Sequence, residues 1–175
     1  MKFHRSIVQT TYQSPLGTMK LAATDAGLAG VWFAGQKHAP NELTAPSVWP
    51  VDSKHPVLIK TAAQLAKYFA GERHAFDLPL DLTGGTAFQQ AVWRALLAIP
   101  SGLKSSYGQI GQAAGLTKAN SGRAVGAAVG RNPISIIVPC HRVVGASGLL
   151  TGYAGGLDRK TALLKLEGAL EENLL

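Results

Sequence analysis

The chain has 175 residues, of which 46% are hydrophobic and only 15% are charged. This composition excludes an intrinsically disordered protein and indicates one domain of ordinary size or two small ones. No apolar run approaches the roughly 20 residues that a membrane-spanning helix needs, and the N-terminus lacks the apolar core of a signal peptide. The single cysteine excludes an internal disulfide and fits a reducing compartment, so we expect a cytoplasmic protein.

The net charge of +7 is unevenly distributed. Residues 1–85 carry 8 Lys/Arg and 6 Asp/Glu, whereas residues 86–175 carry 9 and 4. An excess of this kind favours a polyanionic partner, nucleic acid first, because it steers such a partner over long range. A basic protein without such a partner is the alternative.

The N-terminal half predicts a small sheet followed by a helix. Turn signatures at residues 14–17 (SPLG) and 25–27 (DAG) divide residues 7–34 into three strands of an antiparallel meander. Residues 35–52 are polar, contain three prolines and predict a loop. Apolar residues then recur at helical spacing, with Gly71 as the stop signal; they are Leu58, Ala62, Leu65 and Phe69.

A change in composition near residue 80 predicts a domain boundary. Residues 78–82 (LPLDL) are extended by their proline, and the paired glycines at 84 and 85 interrupt any regular element. We therefore expect a supporting α/β domain over residues 1–80, a linker over 81–85 and a second domain over 86–175.

The second domain predicts helices. Residues 86–89 (TAFQ) form a capping-box pattern ahead of one apolar helix, which ends at Pro100. Two short helical patterns follow, over residues 106–114 and 122–131, and the break between them at 116–119 is tight. This order predicts a helix-turn-helix, with Asn120 or Ser121 as the cap of its second helix.

The second helix of this pair carries unusually little side chain. Gly122, Gly126, Ala127 and Gly130 are all small, although glycine costs helix stability by up to ~1 kcal/mol each. Small residues allow a helix backbone to approach either a partner's surface or a neighbouring helix. The sequence favours neither reading over the other.

The only cysteine, Cys140, follows an apolar run over residues 134–138 that predicts a strand ended by Pro139. His141 and Arg142 come directly after it. A base and a cation beside a thiol lower its pKa, so this order favours a nucleophilic thiolate over an inert buried cysteine. Adjacent side chains on a strand point to opposite faces, so contact between Cys140 and His141 requires a turn or a bridging water.

A carboxylate is the expected partner of the imidazole. Residues 145–156 form a glycine-rich loop, and Asp158 is the predicted cap of a last helix. Glu167 lies near the end of that helix and is the best candidate, although a solvated late-helix carboxylate is the alternative. The histidines show no metal-ligand spacing and the chain has no phosphate-binding loop, so we expect neither a metal nor a cofactor.

Four segments together resemble the signature of the O6-alkylguanine-DNA alkyltransferase family. They are residues 123–126 (RAVG), 132–143 (NPISIIVPCHRV), 152–156 (GYAGG) and 166–168 (LEG). Tyr107 occupies the family's tyrosine position at the start of the helix-turn-helix. The resemblance is close over residues 86–168 and looser before them.

The resemblance implies an α/β (α+β) fold, in which a ribonuclease H-like N-terminal domain precedes a mainly helical, winged-helix-like domain. It also implies a reaction in which the alkyl group on O6 of a guanine in double-stranded DNA passes to Cys140, once per molecule. The damaged base would first be rotated out of the duplex. Repair of O4-alkylthymine, adduct size and cooperativity on DNA stay open, and we expect a monomer in solution.

The resemblance also assigns roles to the residues around Cys140. His141, linked through water to Glu167, would take the thiol proton, and Tyr107 would crowd the target phosphate and donate a proton to the leaving guanine. Asn132 would brace the turn before the active site. Without such roles, Tyr107 would be a residue packed at a helix start and Asn132 a helix terminator before proline.

On the DNA side, the resemblance implies that Arg123 fills the space left by the extruded base. Three small residues of the same helix would lie in the minor groove, namely Gly126, Ala127 and Ala128. The guanine pocket would be formed by Tyr153, Ala154, Ser135 and Val143. Some members carry a proline in place of Ser135 and a serine in place of Ala154, so we expect a different acceptance of bulky adducts.

Two other classes of function stay in view. One is a DNA-damage binder or helix-turn-helix regulator that performs no chemistry, against which the presence of Cys140 argues. The other is a cysteine hydrolase, which would turn over repeatedly. Some members of the family also bind zinc through N-terminal cysteines, and a chain with one cysteine cannot form that thiolate site.

Overall fold

The structure, a computed structural model, describes residues 1–44, 48–116 and 121–170, with the side chain of Ser121 excepted. Its N-terminal half contains an antiparallel sheet in the order β1 (Val8–Ser14), β2 (Gly17–Thr24) and β3 (Gly27–Phe33). The predicted meander is therefore confirmed.

One long helix packs on this sheet. Helix α1 spans Pro56–Phe69, and its proline stands in the first turn, where a missing N–H costs no hydrogen bond. Leu58, Leu65 and Tyr68 are buried on the side that faces the sheet and the rest of the core. The predicted loop before it contains a short 3₁₀ turn at Asn41–Leu43, and residues 45–47 lie outside the described residues.

The C-terminal half is mainly helical, as expected. Its elements are α2 (Ala87–Leu97), β4 (Ser105–Ser106), α3 (Tyr107–Ala113), α4 (Ser121–Gly130), β5 (Val143–Val144) and α5 (Leu157–Leu166). Thr86 and Gln89 form the predicted capping box of α2, and Ser106 and Gln109 form a second one at α3. The short strands β4 and β5 pair in parallel.

The helix-turn-helix pattern corresponds to α3 and α4, which pack on each other and on α2. Residues 117–119 of the predicted turn and the candidate cap Asn120 lie outside the described residues. Ser121 is already the first residue of α4.

The strand predicted over residues 134–138 is wrong. Ile134 makes a single bridge to Val31 of β3, and the chain then turns, with hydrogen bonds from Ile137 N to Ser135 O and from Val138 N to Ile134 O. Ile136 has a φ of 72°, which is exceptional for a β-branched residue. The run is apolar because the core surrounds it, and a short buried run looks the same in either conformation.

The predicted cap of the last helix is also wrong by two residues. Gly156 is the N-cap of α5, and its φ of 92° favours glycine. No side-chain hydrogen bond from the described residues caps this end of the helix. Asp158 instead lies in the first turn, where the helix dipole favours a carboxylate.

One hydrophobic core joins the two halves of the chain. It includes Leu21 and Leu65 from the first half with Val92, Ile110 and Leu163 from the second. The predicted linker is packed into this body, since Asp81 N donates to Leu28 O of β3 and Asp81 is itself buried. The division into domains at residues 81–85 stays a prediction. No helix in the described ranges is both long and apolar enough to cross a membrane.

The paired glycines make a testable distinction. A Cβ on Gly85 would overlap the ring of buried Trp93, whereas a Cβ on Gly84 would meet Lys2 O at 3.3 Å. We expect Gly85→Ala to lower the free energy of unfolding by about 1–3 kcal/mol through overpacking, and Gly84→Ala by clearly less. Urea denaturation of both variants measures the difference, and equal losses would contradict this account of the turn.

Candidate functional site

Cys140 opens a 3₁₀ turn, Cys140–Arg142, that begins directly after Pro139. The turn replaces the end of the predicted strand. It directs its three successive side chains into different surroundings. Cys140 is 6% exposed and lies at the wall of a cavity of about 190 Å³. The thiol is therefore buried from bulk water but open to a small group that enters this cavity.

Asn132 holds the backbone and the sulfur together. Its side-chain amide donates to Val138 O at 2.7 Å and to Cys140 Sγ at 3.1 Å, and its Oδ1 accepts from Ile134 N at 3.0 Å. The residue is buried, so these bonds satisfy a polar group that would otherwise destabilise the core. Asn132 thus fixes the turn, as the resemblance implied, and also contacts the sulfur directly.

The lowered thiol pKa that the adjacent His141 and Arg142 predicted is not found. Burial raises the pKa of the Cys140 thiol above its ordinary value, although the Asn132 amide and the Lys160 charge oppose this effect. Arg142, one of the adjacent groups expected to lower that pKa, points elsewhere. The thiol is therefore neutral until a proton acceptor takes its hydrogen.

His141 lies in direct contact with Glu167, so the water predicted between them is wrong. Its Nε2 is 2.9 Å from Glu167 Oε1, and both side chains are fully buried. Because a carboxylate only accepts, Nε2 carries the proton, which leaves Nδ1 with a lone pair. Nδ1 is buried and has no hydrogen-bond partner among the described residues.

Burial keeps the histidine neutral, and hydrogen bonds from its neighbours keep the glutamate ionised. Burial lowers the pKa of His141, against the opposing effect of Glu167. Although burial alone would raise the pKa of Glu167, hydrogen bonds from His141 and Arg142 hold it well below its usual range. Arg142 forms a fork, with Nε at 2.8 Å from Oε2 and Nη2 at 2.8 Å from Oε1. A neutral imidazole beside a carboxylate can accept a proton.

Lys160 is a site residue that the sequence reasoning missed. It is 0% exposed, and its Nζ donates to Val143 O at 2.6 Å, Thr151 O at 2.7 Å and Gly152 O at 3.2 Å. Burial lowers its pKa to about 8, and a thiolate at Cys140 opposes this shift when it forms. Lys160 precedes Leu163 by three residues, so the two share one face of the helix. This spacing was the signal in the sequence that Lys160 is buried.

Tyr107 lies where the prediction put it. It is the first residue of α3, it lines the cavity, and its hydroxyl accepts a long hydrogen bond of 3.4 Å from Thr151 Oγ1. A Cβ on Gly126 of α4 would lie 4.0 Å from the tyrosine ring. Tyr107 and Gly126 therefore lie side by side in the lining of the cavity.

The residues predicted to contact DNA are divided between two faces of α4. Arg123 and Ala127 are exposed and Gly126 is half-buried. Ala128 is only 2% exposed, and its carbonyl accepts a hydrogen bond from Trp93 Nε1 at 2.9 Å. The predicted contact of the Ala128 side chain with DNA is therefore wrong, because each residue turns the helix by about 100° and Ala128 lies about 200° from Gly126, on the side that faces the core.

Two of the four predicted pocket residues line the cavity, namely Tyr153 and Ala154. Ser135 and Val143 are not among the residues that line this cavity, and their place at the pocket wall stays a prediction. Ser135 is buried with its hydroxyl directed to Gln36 Oε1 at 3.3 Å, and Val143 is buried in β5. Of the two departures from the family pattern, only Ala154 reaches the space beside the sulfur.

The N-terminal half contributes to the same cavity, which the sequence did not indicate. Lys37 and His38 line it, and Lys37 N donates to Ala154 O at 3.0 Å. His38 has a φ of 63°, a left-handed conformation uncommon outside glycine. The loop after β3 therefore closes one side of the site.

Comparisons with known proteins identify the family. The DNA-binding domain of 6-O-methylguanine DNA methyltransferase matches residues 87–169, and the ribonuclease-like domain of the same family matches residues 7–82. Together these matches cover most of the chain, which therefore belongs to the 6-O-methylguanine DNA methyltransferase family.

Individual relatives and solved structures also match this chain over most of its length. The methylated-DNA--protein-cysteine methyltransferases of Mycobacterium bovis and Methanosarcina acetivorans are 49% and 47% identical, over 90% of this chain and 90% and 96% of theirs. The O6-methylguanine methyltransferase of Mycobacterium tuberculosis superposes with a TM-score of 0.79 at 46% identity, over 95% of this chain and 96% of that one. A structure of the protein from that organism in complex with DNA gives 0.78 at 48% identity, over 91% of each chain.

The contact between Asn132 and the sulfur can be tested. Asn132→Asp replaces a donor to Sγ with a carboxylate, which raises the pKa of Cys140 further. We expect the reaction of Cys140 with iodoacetamide near neutral pH to be roughly tenfold slower, or more, in this variant. One unit in the thiol pKa changes the fraction of thiolate by a factor of ten. Exposed Asn41→Asp is the matched control. Equal rates in both variants, measured by mass spectrometry on folded protein, would remove Asn132 as a partner of the thiol.

Proposed function

We propose that this protein repairs double-stranded DNA by moving the alkyl group from O6 of a damaged guanine to Cys140, once per molecule. The observation that carries the proposal is the position of Cys140 Sγ, held by Asn132 at the wall of a small cavity and one residue from a buried His–Glu pair. A thiol in such a place can reach one alkyl carbon while bulk water is kept out.

The reaction balances with groups of this chain. The sulfur forms a bond to the alkyl carbon, the bond from that carbon to O6 breaks, and its electron pair stays on the guanine. The thiol proton goes to His141 Nδ1, and Glu167 stabilises the imidazolium that forms. Tyr107 donates a proton to the leaving guanine and regains one from solvent.

The alkylated cysteine explains the single turnover. The product is a thioether, and an active site that hydrolyses it would need an activated water and a way to stabilise the leaving thiolate. As the family resemblance implies, we expect backbone amides near Tyr153 and Ala154 to meet the guanine O6. The lack of a hydroxyl at Ala154 leaves such an amide contact intact.

Helix α4 supplies the proposed contact with DNA. Among the residues that the structure describes, a Cβ on Gly122 or Gly130 would meet nothing within 4 Å, so no described helix packs against these glycines. This supports close approach to a surface over close packing within the protein. Exposed Arg123 on the same helix would fill the stack after the damaged base rotates into the cavity.

Further parts of the proposal concern organisation and location. We place the N-terminal unit at residues 1–80 and the alkyltransferase unit at 86–175, joined by 81–85. We also place the protein in the cytoplasm, because Cys140 must remain a free thiol and a reducing compartment keeps it so. A DNA-damage binder without chemistry and a cysteine hydrolase are the competing functions.

Mass measurement separates these functions. After incubation with duplex DNA containing O6-methylguanine, we expect the protein to gain one methyl group, located on Cys140 by peptide mapping. Unchanged mass with tight DNA binding would support the binder, and released product in excess of protein would support the hydrolase. Cys140→Ala should lose transfer and keep DNA binding. Loss of both in a folded variant would overturn the proposed division of roles.

The extrusion role of Arg123 has its own test. Arg123→Ala should slow repair of duplex DNA at least tenfold, and more than it slows reaction with the free base O6-benzylguanine, which needs no extrusion. Arg94→Ala, which removes the same charge from an exposed position on α2, is the matched control. Equal slowing on both substrates, or equal slowing by both variants, would exclude Arg123 from base extrusion.

A further inference from the structure

The carboxylate of Glu167 has a partner from the far half of the chain. Tyr68, near the end of α1, is 1% exposed, and its hydroxyl donates to Glu167 Oε1 at 2.8 Å. The same oxygen accepts from His141 Nε2 at 2.9 Å and from Arg142 Nη2 at 2.8 Å. Three donors therefore share one carboxylate oxygen, and one of them comes from the half that the sequence assigned only to support.

We propose that Tyr68 is a positioning residue for the transfer of the thiol proton to His141. Its hydroxyl fixes the Glu167 carboxylate and sets how strongly that carboxylate stabilises the imidazolium form of His141. The proposal rests on the proposed role of His141 as the acceptor of the thiol proton. It places part of the control of this step in the N-terminal half. Tyr68 acts through Glu167 and touches neither the sulfur nor the cavity.

Packing fixes the position of the Tyr68 hydroxyl. The ring contacts Phe69 edge-on, with the centroids 5.4 Å apart, and Phe76 at 5.5 Å. Burial, reinforced by the charge of Glu167, raises the pKa of Tyr68 far above its ordinary value, so the hydroxyl stays a donor at every working pH. A donor held so firmly cannot follow the carboxylate to another rotamer.

The direction of the effect follows from competition for one oxygen. Each hydrogen bond to Oε1 withdraws negative charge from it, so less remains to stabilise an imidazolium at His141. Removal of the Tyr68 hydroxyl therefore raises the pKa of His141. Since His141 must be neutral to accept a proton, the acid limb of the pH–rate profile then moves to higher pH.

Several charged and titratable groups lie around Glu167 and His141, and they determine which limb of the pH–rate profile reports on His141. They are Cys140 and Arg142 on the 3₁₀ turn, Lys160 on α5, and Tyr153 on the glycine-rich loop. Lys160, with a pKa of about 8 through burial, and the thiol titrate on the alkaline side. The acid limb therefore reports on His141.

The test is the rate of methyl transfer from O6-methylguanine duplex to Cys140 across pH, read by mass spectrometry for the wild-type protein and Tyr68→Phe. We expect Tyr68→Phe to fold, to accept one methyl group, and to shift the acid limb to higher pH by about 0.5 unit, a part of the one or more units that a hydrogen bond to a charge is worth. Tyr12→Phe removes a hydroxyl from β1 and should overlay the wild-type profile.

The remaining outcomes separate this inference from the proposed function. An overlay of Tyr68→Phe on the wild-type profile, or an equal slowing at every pH with a lower melting temperature, would reduce Tyr68 to a structural residue and overturn the inference alone. An acid limb that survives unchanged in His141→Gln would assign it to another group and overturn the inference together with the role of His141. Absence of transfer by the wild-type protein would overturn the proposed function itself.

Discussion

The rest of the structure depends on the hydrogen bonds and the opposite charge that surround the buried carboxylate of Glu167. An ionised carboxylate taken out of water is destabilising by several kcal/mol unless hydrogen bonds and opposite charge surround it. Here Arg142 supplies the charge, and His141 and Tyr68 supply further donors. Because these partners come from α1 and the cysteine turn while Glu167 ends α5, one charge orients the base, tethers the turn and joins both halves of the chain.

A neutral buried thiol suits a protein that uses its nucleophile once. Thiolates at exposed positions react with oxidants and stray electrophiles, and each such reaction would consume a molecule. Burial raises the pKa of Cys140, whereas Asn132 and Lys160 favour its charged form. The site is therefore arranged so that a negative charge on the sulfur is stabilised by the Asn132 amide and by the charge of Lys160.

The N-terminal half takes part in the site rather than only supporting it. Strand β3 pairs with the segment before the active-site turn, and the loop after it brings Lys37 and His38 to the cavity. Helix α1 adds Tyr68 to the Glu167 cluster. Such contacts explain why one continuous core spans the chain, and they make the cavity sensitive to changes far from Cys140 in sequence.

The sequence by itself determined the local features: the meander, the capping box at Thr86, the helical C-terminal half and, through the run around Cys140, the family. These follow from turn chemistry, helical spacing and a contiguous motif, all of which act over a few residues. Only the tertiary structure decided that residues 134–138 turn instead of pairing, that Arg142 serves Glu167 rather than the thiol, and that Lys160 and Tyr68 belong to the site. Those outcomes depend on burial and on partners up to a hundred residues away, and no periodicity in a single chain encodes which buried groups meet.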